Sequence, residues 1–389
     1  MLIFSFSSFA NLNLFKDFSL LKIEKDSLSE KLSHEFFGTE DWPEYFNYNH
    51  KVLAVDYTVK KDLNDYIIKE LKRYGSAYAS VVVLDNDSGK ILSAVDYTRS
   101  TRKIGKNLTF SATNPAASVF KVITAADLVE NAQIVDNSEF NFNGKSTTLY
   151  KYQLKNKPNR WTRTTTFEKA FARSNNVVFG KAAINYLNHD SLKSMARKFG
   201  FDQNIMQLMD IGDSKLFDKD TEYGLAEFAS GFNKQTLISP VHGALIASVI
   251  ANDGVMKKPT LVNKIVQKDN QLLIWESQEQ RSRVLSQSSA EEMKKLMELT
   301  VSKGTARSAF NKWRTRRRLK DVTIGGKTGT ITGGVPFGKR DWFVSYAMPK
   351  NGESKGISVC VMIVNVKKWY IKSPVLAKNI IEYYYSNIN

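Results

Sequence analysis

Apolar positions along the chain change period several times, and the changes set out an order of elements. In VKKDLNDYIIKELKRYG, Leu63, Tyr66, Ile67, Leu71 and Tyr74 share one helical face and Gly75 closes the run, which predicts a helix. ASVVVLDNDSGKILSAVDY follows as two β-rich runs around Asp85, Asn86, Asp87, Ser88 and Gly89, which predicts a hairpin. Residues 115–300 are mostly helical in pattern. Within them Ser118–Val129 is apolar nearly all round, and NKQTLISPVHGALIASVIANDG reads as a turn, a Pro240 start, an apolar helix and a Gly254 stop. Past residue 320 strand patterns return in VTIGGKTGTI, DWFVSYAMP and GISVCVMIVNV, separated by Gly333-Gly334 and by NGESKG. SPVLAKNIIEYYY then predicts a Pro-started amphipathic helix.

This order predicts an α+β fold. An antiparallel sheet is flanked by N- and C-terminal helices, and a large all-α subdomain, residues 110–310, is inserted between strands 2 and 3. The fold occupies residues 53–389, with residues 1–52 as an N-terminal extension. Residues 16–52 mix charge and aromatics without a sustained period and read as irregular chain lying on the main domain. Residues 1–15, MLIFSFSSFANLNLF, are uncharged and mostly apolar, with the length of a signal-peptide core and no basic residue before them. They read either as a packing segment or as a remnant export signal. No internal repeat or low-complexity linker is present in the sequence.

Composition narrows the classes. A chain of 389 residues that is 42% hydrophobic is neither a disordered tail nor a collagen-like fibre. Its formal charge of +17 favours anionic neighbours such as nucleic acid, acidic lipid or acidic cell-wall polymer. The cluster Lys312, Arg314, Arg316, Arg317, Arg318 and Lys320, interrupted by Trp313, reads as a solvated strand and loop, or else as a polyanion contact. A single cysteine, Cys360, excludes an intramolecular disulfide framework and a cysteine-rich metal site. Four scattered histidines without an HExxH pattern argue against a helix-borne metal site. Chemistry, if any, would use hydroxyls, amines and amides.

Three short motifs could supply it. Ser118-Val-Phe-Lys121 opens the all-apolar helix, and positions three apart share a helix face, so the Lys121 amine can reach the Ser118 hydroxyl. Serine needs a neighbouring base to become a nucleophile, and a lysine is that base only if burial or nearby positive charge favours its neutral form. The alternative is a helix-capping serine beside a snorkelling lysine. A second copy of the pattern, Ser100-Thr-Arg-Lys103, lies in a polar, charged stretch and reads as solvated surface. Ser174-Asn175-Asn176 is a polar triplet between two apolar helical runs, able to project a hydroxyl and an amide, or merely to form a cap or turn. Lys327-Thr328-Gly329-Thr330 lies in a strand where glycine suits close approach of another backbone and Lys and Thr suit a carboxylate; its alternative is an exposed edge with a bulge at Gly329. GGKTGT is not a phosphate-binding P-loop, because its required first glycine falls on Asp321 and no helix can start at the residues that follow.

Taken in order, SVFK, SNN and KTGT resemble the three signatures of penicillin-binding transpeptidases and serine β-lactamases. The resemblance runs on through the leading hairpin, through PAASVFKVITAADLVE, LISPVHGALIASVIANDGVMKKPTLV and SKGTARSAF, and through RDWFVSYAM, covering nearly the whole of residues 53–389. It implies a peptidoglycan D,D-transpeptidase in which Ser118 is acylated and Lys121 is its base. Ser174 would relay a proton to the departing D-alanine, and Asn176 would hold the peptide backbone. Lys327 and the hydroxyls of Thr328 and Thr330 would grip the terminal carboxylate, with the Ser118 and Thr330 N–H groups as oxyanion hole and Gly329 between them in the strand. It also implies no metal or organic cofactor. Peptidoglycan stem peptides and β-lactams would be the partners, with anionic wall polymer or membrane surface beside them, and the location would be extracytoplasmic, so nucleic acid would not be a partner.

Two departures from the family pattern stand out. Ala117 replaces the usual glycine, which a helix start tolerates, and Phe228-Ala-Ser-Gly-Phe-Asn replaces the usual Gly-Gln-Gly type of loop. Residues 1–52 leave no room for a glycosyltransferase domain. A D,D-carboxypeptidase or serine β-lactamase shares the acylation machinery, and a non-catalytic cell-wall-binding scaffold is the alternative of another class.

Overall fold

The computed structural model describes residues 14–217 and 219–388. Residues 1–13, which carry most of the stretch read as an export signal, lie outside the described residues. The extension is not irregular. It forms α1 (Leu14–Gly38) and a hairpin of β1 (Tyr45–Tyr48) and β2 (Lys51–Tyr57). Leu28, Leu32 and Phe36 of α1 are four residues apart and buried in the main core, a stripe one residue wide that the intervening charges conceal.

After α2 (Lys61–Tyr74) come β3 (Tyr78–Asp85), β4 (Ile91–Thr98) and the short β5 (Lys103–Gly105). A 3-10 turn, Ala117–Phe120, leads into α3 (Lys121–Ala132). Next are the hairpin β6 (Glu139–Phe142) and β7 (Arg163–Thr166), then α4 (Phe167–Ala172), α5 (Asn176–Tyr186), α6 (Glu222–Ser230) and α7 (Pro240–Ala251). The chain continues through β8 (Val262–Gln267), β9 (Leu273–Glu276), α8 (Gln287–Ser302) and α9 (Trp313–Arg318). It returns to the sheet as β10 (Val322–Gly333), β11 (Gly338–Pro349) and β12 (Ile357–Asn365), and α10 (Ser373–Asn387) follows.

The main sheet has six strands in the order β10-β11-β12-β3-β4-β5, every neighbouring pair antiparallel. Period-2 alternation divides its side chains between two layers. On β12, Ile357, Val359, Val361 and Ile363 face the core shared with α2 and α10, whereas Cys360, Met362 and Val364 join the core shared with α7. All twelve residues of α7 are buried, and stacked rings of Tyr66 and Tyr383, 3.9 Å apart, join α2 to α10.

Three expectations need correction. The insert follows the third strand of the sheet, not the second, because the three-residue β5 pairs with the outer edge of β4 and is too short and charged to show a period. Nor is the insert all-α: it contains the β6–β7 hairpin, and β8 and β9 complete a four-stranded sheet, β1-β2-β8-β9. Since β2 runs through residue 52 and pairs with β8, the extension and the insert share a sheet across that residue. The basic cluster, expected as strand and loop, forms the short helix α9, with Thr315 buried and Arg318 bonded to Glu382 at 3.1 Å. Among the described residues no helix is long and apolar enough to cross a membrane.

Candidate active site

Ser118 and Lys121 lie where the 3-10 turn passes into α3. The segment before them is held from the sheet: buried Arg340 donates from Nε to Asn114 Oδ1 (2.8 Å), and Trp342 donates from Nε1 to the Pro115 carbonyl (3.0 Å). Ala117 has φ +50°, the left-handed region in which a Cβ is crowded. The expected tolerance of alanine there therefore has the wrong basis, because the backbone conformation itself favours glycine. Gly231, at the end of α6, packs against this turn so closely that an added Cβ would lie 1.9 Å from the Ala117 carbonyl oxygen.

Lys121 is wholly buried, and its Nζ lies 2.9 Å from Ser118 Oγ. The same nitrogen donates to Asn176 Oδ1 (2.7 Å) and to the Ser230 carbonyl (2.5 Å). Burial, reinforced by the positive charge of Lys327, pushes its pKa well below the usual lysine range. A neutral amine has two N–H donors and one lone pair. With the donors taken by Asn176 and Ser230, the lone pair remains for the hydroxyl of Ser118.

Within the polar triplet the three residues divide the work. Ser174 occupies a turn with φ +56°, Asn175 caps α5 by accepting from Val178 N (3.2 Å), and Asn176 begins the helix and faces Lys121. The capping alternative is thus right for Asn175 alone. The Asn176 amide is engaged at both ends, its Nδ2 donating to the Thr147 carbonyl at 2.9 Å. Ser174 Oγ in turn lies 2.9 Å from the Nζ of Lys327, which is also buried and pushed down by burial to about 7.

Lys327, Thr328, Gly329 and Thr330 lie on β10, an edge strand of the sheet. The register with β11 runs unbroken from Val322 to Gly333, so there is no bulge at Gly329. Gly329 serves close approach: an added Cβ would lie 3.2 to 3.4 Å from Val119 and Ala117 of the turn. Thr328 Oγ1 shares a hydrogen bond of 2.6 Å with Thr305 Oγ1, and the Thr305 N–H donates to the Ala172 carbonyl at 3.0 Å, seating the α8–α9 loop beside the Ser174 turn.

A cavity of about 530 Å³ opens over this arrangement, lined by Ser118, Ser174, Asn176, Thr328, Gly329 and Thr330. All eight residues singled out from the sequence therefore meet at one place, six on the cavity wall and Lys121 and Lys327 buried behind it. The Ser230 carbonyl and Thr305 are absent from the sequence-based set. A backbone acceptor leaves no residue-type signal, whereas Thr305 sits within the noted SKGTARSAF stretch. The other Ser-x-x-Lys copy is surface: exposed Lys103 pairs with Glu40 at 2.5 Å. The strand continues past Thr330 to Gly333, as exclusion of a P-loop requires.

Comparison with known proteins gives a concordant picture. A family model described as the penicillin binding protein transpeptidase domain matches residues 79–382. The peptidoglycan D,D-transpeptidase PbpA of Mycobacterium tuberculosis is 26% identical over 324 residues, covering 75% of this chain and 63% of its own length. Penicillin-binding protein 3 of Bacillus subtilis is 26% identical over 274 residues, covering 66% of this chain and 37% of that protein. The chain thus spans less than two thirds of these relatives. Among solved structures, the D,D-transpeptidase domain of an Eggerthella lenta peptidoglycan glycosyltransferase superposes with a TM-score of 0.66 at 20% identity, covering 84% of this chain and 82% of that one. The penicillin G acyl-enzyme complex of penicillin-binding protein A from M. tuberculosis gives 0.63 at 21% identity, covering 90% and 82%. These superpositions establish the fold.

Proposed function

Because the chain belongs to the penicillin-binding protein transpeptidase family, we propose that it is an acyl-serine D,D-transpeptidase acting on the D-Ala-D-Ala end of peptidoglycan stem peptides. Ser118 Oγ attacks the carbonyl carbon of the penultimate D-alanine while the Lys121 lone pair takes the hydroxyl proton. The oxyanion forms at the start of a helix, with the N–H groups of Ser118 and Thr330 as its donors. Ser174 relays to the departing amine, as the C–N bond breaks, the proton that Lys121 took from Ser118, leaving an ester on Ser118 and the Lys121 amine neutral again. A neighbouring stem's amine attacks that ester, forms the cross-link and restores the serine.

The terminal carboxylate is bound by Lys327 with the hydroxyls of Thr328 and Thr330. A carboxylate there favours the charged form of Lys327, and that charge in turn keeps Lys121 neutral. Asn176 orients Lys121 through its Oδ1, and the second N–H of its Nδ2, beside the one given to the Thr147 carbonyl, is available to hold the peptide backbone. The chemistry needs no metal or organic cofactor. Its substrate is cell-wall material, so the site of action is outside the cytoplasm; β-lactams acylate the same serine, and anionic wall polymer is a compatible neighbour for a chain of charge +17.

The observation that carries this reading is the buried Lys121 amine, with both donors occupied, 2.9 Å from Ser118 Oγ. Fluorescent penicillin is expected to label the purified chain covalently, and Ser118→Ala to abolish the label. Stem peptides with an acceptor amine are expected to yield cross-linked product. Release of D-alanine without cross-linking would make it a carboxypeptidase, rapid drug turnover a β-lactamase, and a folded chain that never labels a scaffold.

A further inference from the structure

Four large apolar side chains stand in solvent at one end of the six-stranded sheet. Val335 and Phe337, at 70% and 71% exposure, tip the turn between β10 and β11, while Val366 and Trp369, at 57% and 41%, follow β12. The two segments are neighbours, because Lys339 pairs with Asn365 in register and the Lys339 Nζ lies 5.6 Å from the Trp369 ring centroid. The end of β4 adjoins them, with the Arg99 guanidinium 4.2 Å over the Tyr370 ring. Exposed apolar residues clustered this way mark a contact surface, whereas singly scattered ones do not.

Charge decides the kind of contact. Residues 333–339 and 366–372 contain Lys339, Lys367, Lys368 and Lys372 and not one Asp or Glu. Beside Val335, Glu40 lines the same cavity but is paired with Lys103. A basic rim around protruding Val, Phe and Trp suits an anionic lipid surface, where apolar side chains enter the acyl boundary, the indole sits at headgroup depth and lysines meet the phosphates. A soluble polyanion would use the lysines and leave the apolar tips in water. We propose that this end of the sheet docks on an anionic membrane surface, with the β10–β11 turn as its apolar anchor. The turn begins a few residues beyond Thr330, so docking would hold the cavity close to the lipid headgroups.

Neither segment supplies Ser118, Lys121 or the other residues of the proposed reaction, so loss of lipid binding and loss of acylation are separable outcomes. The test is co-sedimentation of the full chain with vesicles of equal phosphatidylglycerol and phosphatidylcholine, and with phosphatidylcholine alone. Binding is expected to the anionic vesicles. It should fall at least about tenfold in the pair Lys367→Glu, Lys368→Glu and comparably in the pair Val335→Ser, Phe337→Ser, each still labelled by penicillin. The pair Arg314→Glu, Arg316→Glu, with the same change of charge at the opposite end of β10, should bind as the parent does. The proposal is overturned if the serine pair binds undiminished, which would indicate a purely ionic contact, or if the control pair loses as much as the lysine pair. It is equally overturned if no vesicle binds while soluble polyphosphate does, or if the serine pair only dissolves a self-association of the chain.

Discussion

Lys121 has no exposed surface, and the charge of Lys327 opposes its own, so it holds its proton less tightly than an ordinary lysine. As pH falls through that lowered pKa the amine protonates and its lone pair is lost. Acylation is therefore expected to decline on the acid side, and Lys121→Met to cut the rate by about 10²–10⁴ and remove that limb, read as penicillin labelling rate against pH. Lys327 gives a stability signature with the opposite experimental handle. It titrates at about 7 in the folded chain against an ordinary 10.5. Between those values the unfolded chain binds more protons, so this site's contribution to stability rises with pH. The gain in Tm from Lys327→Met over the parent should be largest below pH of about 7 and shrink towards 10.5, in thermal melts at stepped pH. Ala117 pays for its left-handed backbone in strain; Ala117→Gly is expected to add about 0.5–1 kcal/mol in denaturant unfolding with labelling retained.

At the scale of elements, the site exists because three of them converge on one helix start. The 3-10 turn carries Ser118, α6 ends against it at Gly231, and β10 passes across it at Gly329. Gly231 also has φ +63°, so a side chain there meets both backbone strain and the Ala117 carbonyl. Gly231→Ala is expected to cost about 1–3 kcal/mol and, by displacing the turn, to slow labelling more than tenfold, seen by comparing denaturant midpoint with labelling rate. Two of the larger elements around the site were readable in advance for plain reasons. β12 is a nine-residue run, nearly all apolar and rich in Val and Ile, that is buried on both faces, and α7 begins with Pro240 and is apolar on every side. β5, with three residues, and β8 and β9, which are partly exposed, offered too few alternations to be distinguished from loop.

Across the whole molecule, the N-terminal helix belongs to the body of the protein. Phe36 of α1 is fully buried, edge-on to Phe110 at 5.6 Å and to Trp42 at 5.4 Å, with the Lys106 amine 4.7 Å above its ring. Phe36→Ala is expected to cost about 3–5 kcal/mol within a single unfolding transition. A separate early transition confined to the extension would show instead that α1 is an independent appendage.

Residue type and local spacing were enough to bring out the mixed fold, the three motifs and the serine–lysine pair, because each depends on chain neighbours a few positions apart. Which polar residues are buried was beyond that range. Lys121 and Lys103 occupy identical four-residue patterns, yet one is enclosed by α5 and α6 while the other meets water and Glu40. The Ser230 carbonyl, the Thr305 hydroxyl and the sheet that joins β2 to β8 come from segments distant in sequence. Long-range packing alone decided them, since desolvation and close approach are properties of what surrounds a group and not of the group itself.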